Sequence, residues 1–266
     1  METPVLVAVI AGSATITAAI TGGIFAVIAA RVKKLAEEKT TAAEQVTEEL
    51  GTRSAYEMRE FEAITTFDDS GAGETIRKWV EVRSAQSINN LKIHCKFQLS
   101  AGGQGQLPAI EALSGSQLGA HFSQTTRSDT VIEGNVVLEG LLAPDTGYVA
   151  FQARQSFEGA FCMTKEQTIE AYKGSTWQTE YAVSGVTAPV KTLKRSVHFP
   201  PSYKNLAPPP QAVVFLGEDE VVDSAEITRV KDGLTILERS AILVVSNPRL
   251  GRRYGISWMP PPARHG

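Results

Sequence analysis

From Val5 to Ala30 the chain carries no charged side chain, and Arg31, Lys33 and Lys34 follow at once. At about 1.5 Å of rise per residue a helix of this length reaches ~39 Å, against a hydrocarbon core of about 30 Å. The run therefore predicts a transmembrane helix over 5–30, with room to tilt. A secretory leader would place its basic residues before a shorter apolar core. Here only Met1 to Pro4 precede the run, Glu2 is acidic, and the basic charge follows. Because Lys and Arg resist translocation, the expected topology is single-pass, with the N-terminus outside and the remaining body cytoplasmic.

Small residues recur at every fourth position of this segment: Ala14, Ala18, Gly22, Ala26 and Ala30. Residues four apart share a helix face, so the row forms a flat stripe against which a second helix backbone can pack closely. The stripe predicts self-association into a homo-oligomer within membrane lipid. From 31 to 50 the sequence turns to strong helix formers of mixed charge, with Val32, Leu35, Ala42, Val46 and Leu50 near one stripe. This predicts a stalk helix that continues the span and stops at Gly51. A short coiled coil is the alternative for the stalk.

Beyond Gly51 the hydrophobic period shortens to two. Leu91, Ile93, Cys95, Phe97 and Leu99 alternate with Lys92, His94, Lys96 and Gln98, which predicts a half-buried antiparallel strand. Less regular runs at 55–66, 75–83, 130–142 and 147–157 predict further strands, separated by Gly- and Asp-rich turns. Thr164, followed three residues later by Gln167, is a capping box and predicts a short helix over 165–173 ended by Gly174. Strand signals resume at 177–183, 190–199, 212–216, 225–231, 234–246 and 253–259. The expected fold is mainly β, an antiparallel sandwich or barrel-like body after the transmembrane and stalk helices. It would comprise a β-rich domain over 51–163, a connector over 164–174 and a second β-rich region over 175–266, either as two subdomains or as one domain.

Leu142-Ala143-Pro144-Asp145-Thr146-Gly147-Tyr148 resembles the corner of fibronectin type III domains, in which a tyrosine hydroxyl pins the turn between two sheets. A second corner of similar form runs from Asn247-Pro248 to Tyr254, although no closing strand follows it. A tandem of two sandwiches would account for both.

Chemistry is sparse. His94, His121, His198 and His265 form no metal-binding unit, and there is neither a G-x-S-x-G elbow nor a phosphate-binding glycine loop, so no catalytic, cofactor or metal residues are expected. Asp68, Asp69 and Glu74, and again Glu218, Asp219, Glu220 and Asp223, gather in turns but lack calcium-loop spacing. A net charge of −3 gives no reason to expect nucleic acid. The two cysteines, Cys95 and Cys162, suit a reducing compartment, with one disulfide left open. Arg249, Arg252 and Arg253 cluster on a glycine-containing loop and are the candidate contact for an anionic ligand or acidic partner.

The expected function is thus non-enzymatic: a membrane-anchored binding or sensing module, a signalling adaptor or effector with a protein or small-ligand partner. By architecture alone it resembles the membrane-plus-β-domain effectors of bacterial anti-phage defence, which implies ligand sensing coupled to assembly of the membrane helices. The alternatives are a membrane-anchored hydrolase with a dispersed site and, if the topology is inverted, an extracellular adhesion-type sandwich.

Overall fold

The structure, a computed structural model, describes residues 55–98, 104–114, 119–128, 131–145, 147–173, 178–217 and 221–262. The predicted transmembrane helix over 5–30, with its stripe of small residues, and the stalk over 31–50 lie outside the described residues. Among the described residues, no helix is long and apolar enough to cross a membrane.

The described chain is mainly β. Its strands are β1 (Tyr56–Phe67), β2 (Gly73–Ser84), β3 (Ile88–Gln98), β4 (Gln104–Gly105), β5 (Ala109–Ser114), β6 (Gly119–Arg127), β7 (Val131–Leu142) and β8 (Val149–Glu158). After helix α1 (Lys165–Ala171) come β9 (Glu180–Gly185), β10 (Val190–His198), β11 (Gln211–Leu216) and β12 (Val221–Val222). Helix α2 (Ser224–Val230) then precedes β13 (Leu234–Leu237), β14 (Ser240–Ser246) and β15 (Arg252–Trp258).

These strands form three sheets. An eight-stranded sheet runs β13-β14-β10-β1-β2-β8-β4, with β5 also on β8; a four-stranded sheet runs β12-β11-β15-β9; a three-stranded sheet runs β3-β7-β6. Pairing is antiparallel except between β1 and β10, which lie parallel with Met58 opposite Val190 and Thr66 opposite His198. That pair joins the 51–163 region to the 175–266 region through one hydrogen-bonded sheet.

Alternation explains which face is buried. On β1, Phe61, Ala63, Thr65 and Phe67 turn inward; Trp79 on β2, Phe151 and Phe157 on β8, and Leu193 and Val197 on β10 do the same. On β3 the predicted apolar face, Leu91, Ile93, Cys95 and Phe97, is buried. The inner face of the large sheet meets both smaller sheets. Phe67 stacks on Trp258 of β15 with centroids 5.9 Å apart, and the Arg77 guanidinium lies 4.0 Å from the centroid of the Phe97 ring of β3. Trp79 stacks on Phe151 at 4.8 Å and tilts against Phe61 at 5.4 Å. At Gly255 the sheet leaves no room for a side chain, since a Cβ there would lie 2.2 Å from the Ala182 carbonyl oxygen.

Helix α1 forms where the capping box predicts it: Gln167 N donates to Thr164 Oγ1, and Thr164 N donates to Gln167 Oε1 at 2.8 Å. The strand predicted over 225–231 is instead helix α2. Asp223 caps it by accepting from Glu226 N at 3.0 Å, and apolar Val230 is buried against the core. Of the two corners, only the second is pinned. Tyr148 is exposed. Tyr254 is fully buried, its hydroxyl accepting from Arg249 N at 2.7 Å and donating to Glu226 Oε1 at 2.7 Å.

One buried group opposes the fold electrostatically. Glu180 starts β9 opposite Trp258, has no exposed surface, and neither carboxylate oxygen has a hydrogen-bond partner. Burial pushes its carboxyl up from 4.5 to about 7. Between these values the unfolded chain releases a proton that the folded chain retains, so stability falls as pH rises from about 4.5 to about 7. Glu180→Gln removes that penalty. Thermal unfolding followed by circular dichroism should show the variant gaining on wild type by about 3 kcal/mol between pH 4 and pH 8.

Candidate cleft at the seam of three sheets

Between the two smaller sheets, over β1 and β2, lies a cleft with a volume of about 110 Å³. Its apolar wall consists of Met58 and Phe61 from β1, Trp79 from β2, Val190 from β10, and Val183 and Val186 from β9 and the turn after it. Its polar lining is Arg77, His94, Cys95, Lys96, Ser184, Thr187 and Arg253, with Gly185 completing the wall. Among the described residues no Asp or Glu lines it.

Arg77 reaches the cleft because of its row in the large sheet. It stands opposite Ala63 on β1, and Ala63 in turn stands opposite Arg195 on β10, so two guanidinium groups flank one small side chain on the inner face. Arg77 donates through one terminal nitrogen to the Lys96 carbonyl at 2.7 Å, which ties β2 to β3. Its Nε is buried without a hydrogen-bond partner. Arg195 donates from Nε to the Ala182 carbonyl at 3.2 Å and from a terminal nitrogen to Thr65 Oγ1, which ties β10 to β9. Neither arginine has a carboxylate partner among the described residues. Burial lowers the pKa of Arg77, and it brings Arg195 down to about 9, with the Arg77 charge adding to the effect.

The thiol beside Arg77 does not offset this charge. Burial pushes Cys95 up to about 11 against the pull of the guanidinium, so at neutral pH it is a neutral thiol donating to the Ile93 carbonyl. Cys95 and Cys162 are both free, the first buried and the second exposed. The Ser184 hydroxyl, on a residue 4% exposed, lines the cleft and has no hydrogen-bond partner. His94 turns its Nε2 toward Glu133 Oε1 at 3.3 Å. Gly185 marks the wall opposite Arg253; a Cβ there would meet only Arg253 Cγ, at 3.8 Å, so a side chain can enter without displacing backbone.

The arginines singled out from the sequence separate in space. Arg252 and Arg253 are neighbours on β15 and point to opposite faces. Arg252 is buried, with Nε donating to Asp223 Oδ2 at 2.8 Å. The exposed Arg249 lies 3.4 Å from Glu226 Oε2. Glu226 is 1% exposed and also accepts from Arg229 and Tyr254. Burial would raise its pKa, but the Arg229 and Tyr254 hydrogen bonds and the nearby Arg229 and Arg249 charges hold it below the usual carboxylate range. Arg249 and Arg252 therefore serve a structural corner built on α2, and Arg253 alone of the three reaches the cleft. The stripe from Ala14 to Ala30 falls outside the described residues.

In the 68–74 turn, Asp68 Oδ1 accepts from Ser70 N, Ser70 Oγ and Ala72 N, so that oxygen shapes its own turn. Glu218, Asp219 and Glu220 lie outside the described residues. Among the described residues, no group of three or more His, Cys, Asp and Glu side chains is arranged to hold a metal ion.

No protein-family model and no curated protein matches this chain. Among solved structures, a candidate protease from Parabacteroides distasonis aligns at 10% identity with a TM-score of 0.40, over 77% of this chain and 41% of that one. An M1 zinc metallopeptidase from Deinococcus radiodurans aligns at 10% identity with a TM-score of 0.33, over 78% of this chain and 43% of that one. The chain thus spans about two fifths of these proteins. Similarity at this level carries no argument about activity.

The corner at α2 yields a direct expectation. Arg252→Leu strands Asp223 beside a buried apolar side chain and should cost about 3 kcal/mol in urea unfolding, because removing one partner of a buried pair leaves the other charge uncompensated. Arg253→Leu should cost less than about 1 kcal/mol in the same measurement.

Proposed function

We propose that the β-rich body is a non-catalytic binding module whose cleft takes a small ligand with an anionic end and an apolar body. Its three sheets act together as an open sandwich that holds the cleft walls rigid. The observation that carries this reading is the lining itself: Arg77, Lys96 and Arg253 contribute positive charge to an apolar pocket in which no Asp or Glu takes part among the described residues. Turnover is not needed to explain the site. The Ser184 hydroxyl has no base within hydrogen-bond reach, and the imidazole in the lining is directed at Glu133.

The test is direct. Anilinonaphthalene sulfonate, an anionic aromatic dye, should bind the full chain saturably with enhanced fluorescence and raise its unfolding temperature. Gly185→Leu, which places a side chain into the cleft, should abolish both effects while leaving the circular dichroism spectrum unchanged. Equal binding by wild type and variant would locate the dye elsewhere and remove this assignment.

In the cell the module would act as a sensor or adaptor held at a membrane by the 5–30 segment, with the body cytoplasmic. This part of the proposal rests on the uncharged run and on the basic residues after it. A C-terminal reporter active only in the cytosol should light up, whereas one active only after export should stay dark. Gly22→Ile should abolish crosslinking between copies in native membranes without loss of insertion, since a β-branched side chain keeps the partner backbone away. Crosslinking equal to wild type would leave the segment a plain anchor.

A further inference from the structure

Two of the residues that line the cleft carry buried donors with nothing to receive them: Arg77 Nε and Ser184 Oγ each lack a hydrogen-bond partner. They come from different sheets, β2 of the large sheet and β9 of the four-stranded one. Leaving a buried donor unmade costs about 1–3 kcal/mol, more when it is charged. The Arg77 charge also has no carboxylate partner among the described residues. Cys95 remains a thiol, and Arg195, one register row across Ala63, adds a second positive charge behind the wall. An anion placed between the two donors would relieve both deficits at once.

We propose that the cleft seats the carboxylate of a small monocarboxylic acid, one oxygen accepting from Arg77 Nε and the other from Ser184 Oγ, with the apolar body against Trp79, Phe61 and Val190. The inference deepens the binding reading above and rests on it. Two donors suit the two oxygens of a carboxylate, whereas a phosphate dianion needs more donors than these to balance its desolvation. The cleft volume of about 110 Å³ is somewhat smaller than a dry cavity of about 150 Å³ that holds benzene. Because the cleft opens to solvent, it accommodates an acid the size of phenylacetate with its far edge toward the mouth.

Calorimetric titration of the full chain with phenylacetate, 2-phenylethanol, phenethylamine and phenyl phosphate tests this. Phenylacetate should bind at least about tenfold more tightly than the alcohol, as one charge-assisted hydrogen bond warrants. Phenethylamine should bind more weakly than either. Arg77→Gln should erase the preference for the acid over the alcohol. Because Arg77 also ties β2 to Lys96, Ser184→Ala supplies a second variant: its hydroxyl supports no other contact, so the fold should stand while phenylacetate affinity drops about fivefold or more and alcohol affinity holds. Equal affinity for acid and alcohol, or tighter binding of phenyl phosphate, would overturn the carboxylate seat. If the alcohol still binds wild type and is lost in Gly185→Leu, the seat falls while the binding cleft stands. If neither compound nor the dye binds, both fall.

Discussion

The parallel pairing of β1 with β10 is the interaction on which the rest of this body depends. It brings residues 58–66 against 190–198 and sets the two at the centre of the large sheet. Parallel partners cannot be joined by a tight turn, so the intervening chain must leave and return. That excursion forms β2, β4, β5 and β8 of the large sheet, the three-stranded sheet, α1 and the first strand of the four-stranded sheet. The cleft is a by-product of this route, because β3 and β9 both return to wall it together with β1 and β2.

Buried charge is handled in two opposite ways. At the α2 corner, Asp223 and Glu226 each sit beside arginine, and the Tyr254 hydroxyl closes the network between Glu226 and the Arg249 backbone. Such a network is costly to break and rigid when complete. On the inner face of the large sheet, by contrast, Arg77 and Arg195 are buried without carboxylate–guanidinium pairing, and so is Glu180 on β9 of the four-stranded sheet. Arg77 and Arg195 instead donate to the Lys96 and Ala182 carbonyls, each joining the large sheet to one smaller sheet. The inner face thereby gains cross-sheet ties and retains unspent donor capacity, and Arg77, which keeps one such donor, is part of the cleft lining.

Several elements were legible in the sequence for plain physical reasons. The alternation from Leu91 to Phe97 named the buried face of β3, and Thr164 with Gln167 named the start of α1. The same signals were present and outweighed at 225–231, where β-branched Ile227, Thr228 and Val230 suggest a strand. There Asp223, followed three residues later by Glu226, marks a helix start, and the cap prevailed because its aspartate is also held by Arg252. Strand β6 is largely exposed and polar, so no face was hydrophobic enough to reveal it.

The sequence by itself determined that the body is β-rich, since a period-two pattern can bury one face only as a strand. It also determined the uncharged segment and the charge asymmetry beside it. Tertiary structure decided which arginines matter. Arg249, Arg252 and Arg253 are close in sequence and separate in space, because adjacent strand residues point to opposite faces and carboxylates at the start of α2 claim two of them. Arg77, Ser184 and Arg253 are far apart in sequence and share a cleft, because strand order and register, set by pairing between distant segments, place them at one seam.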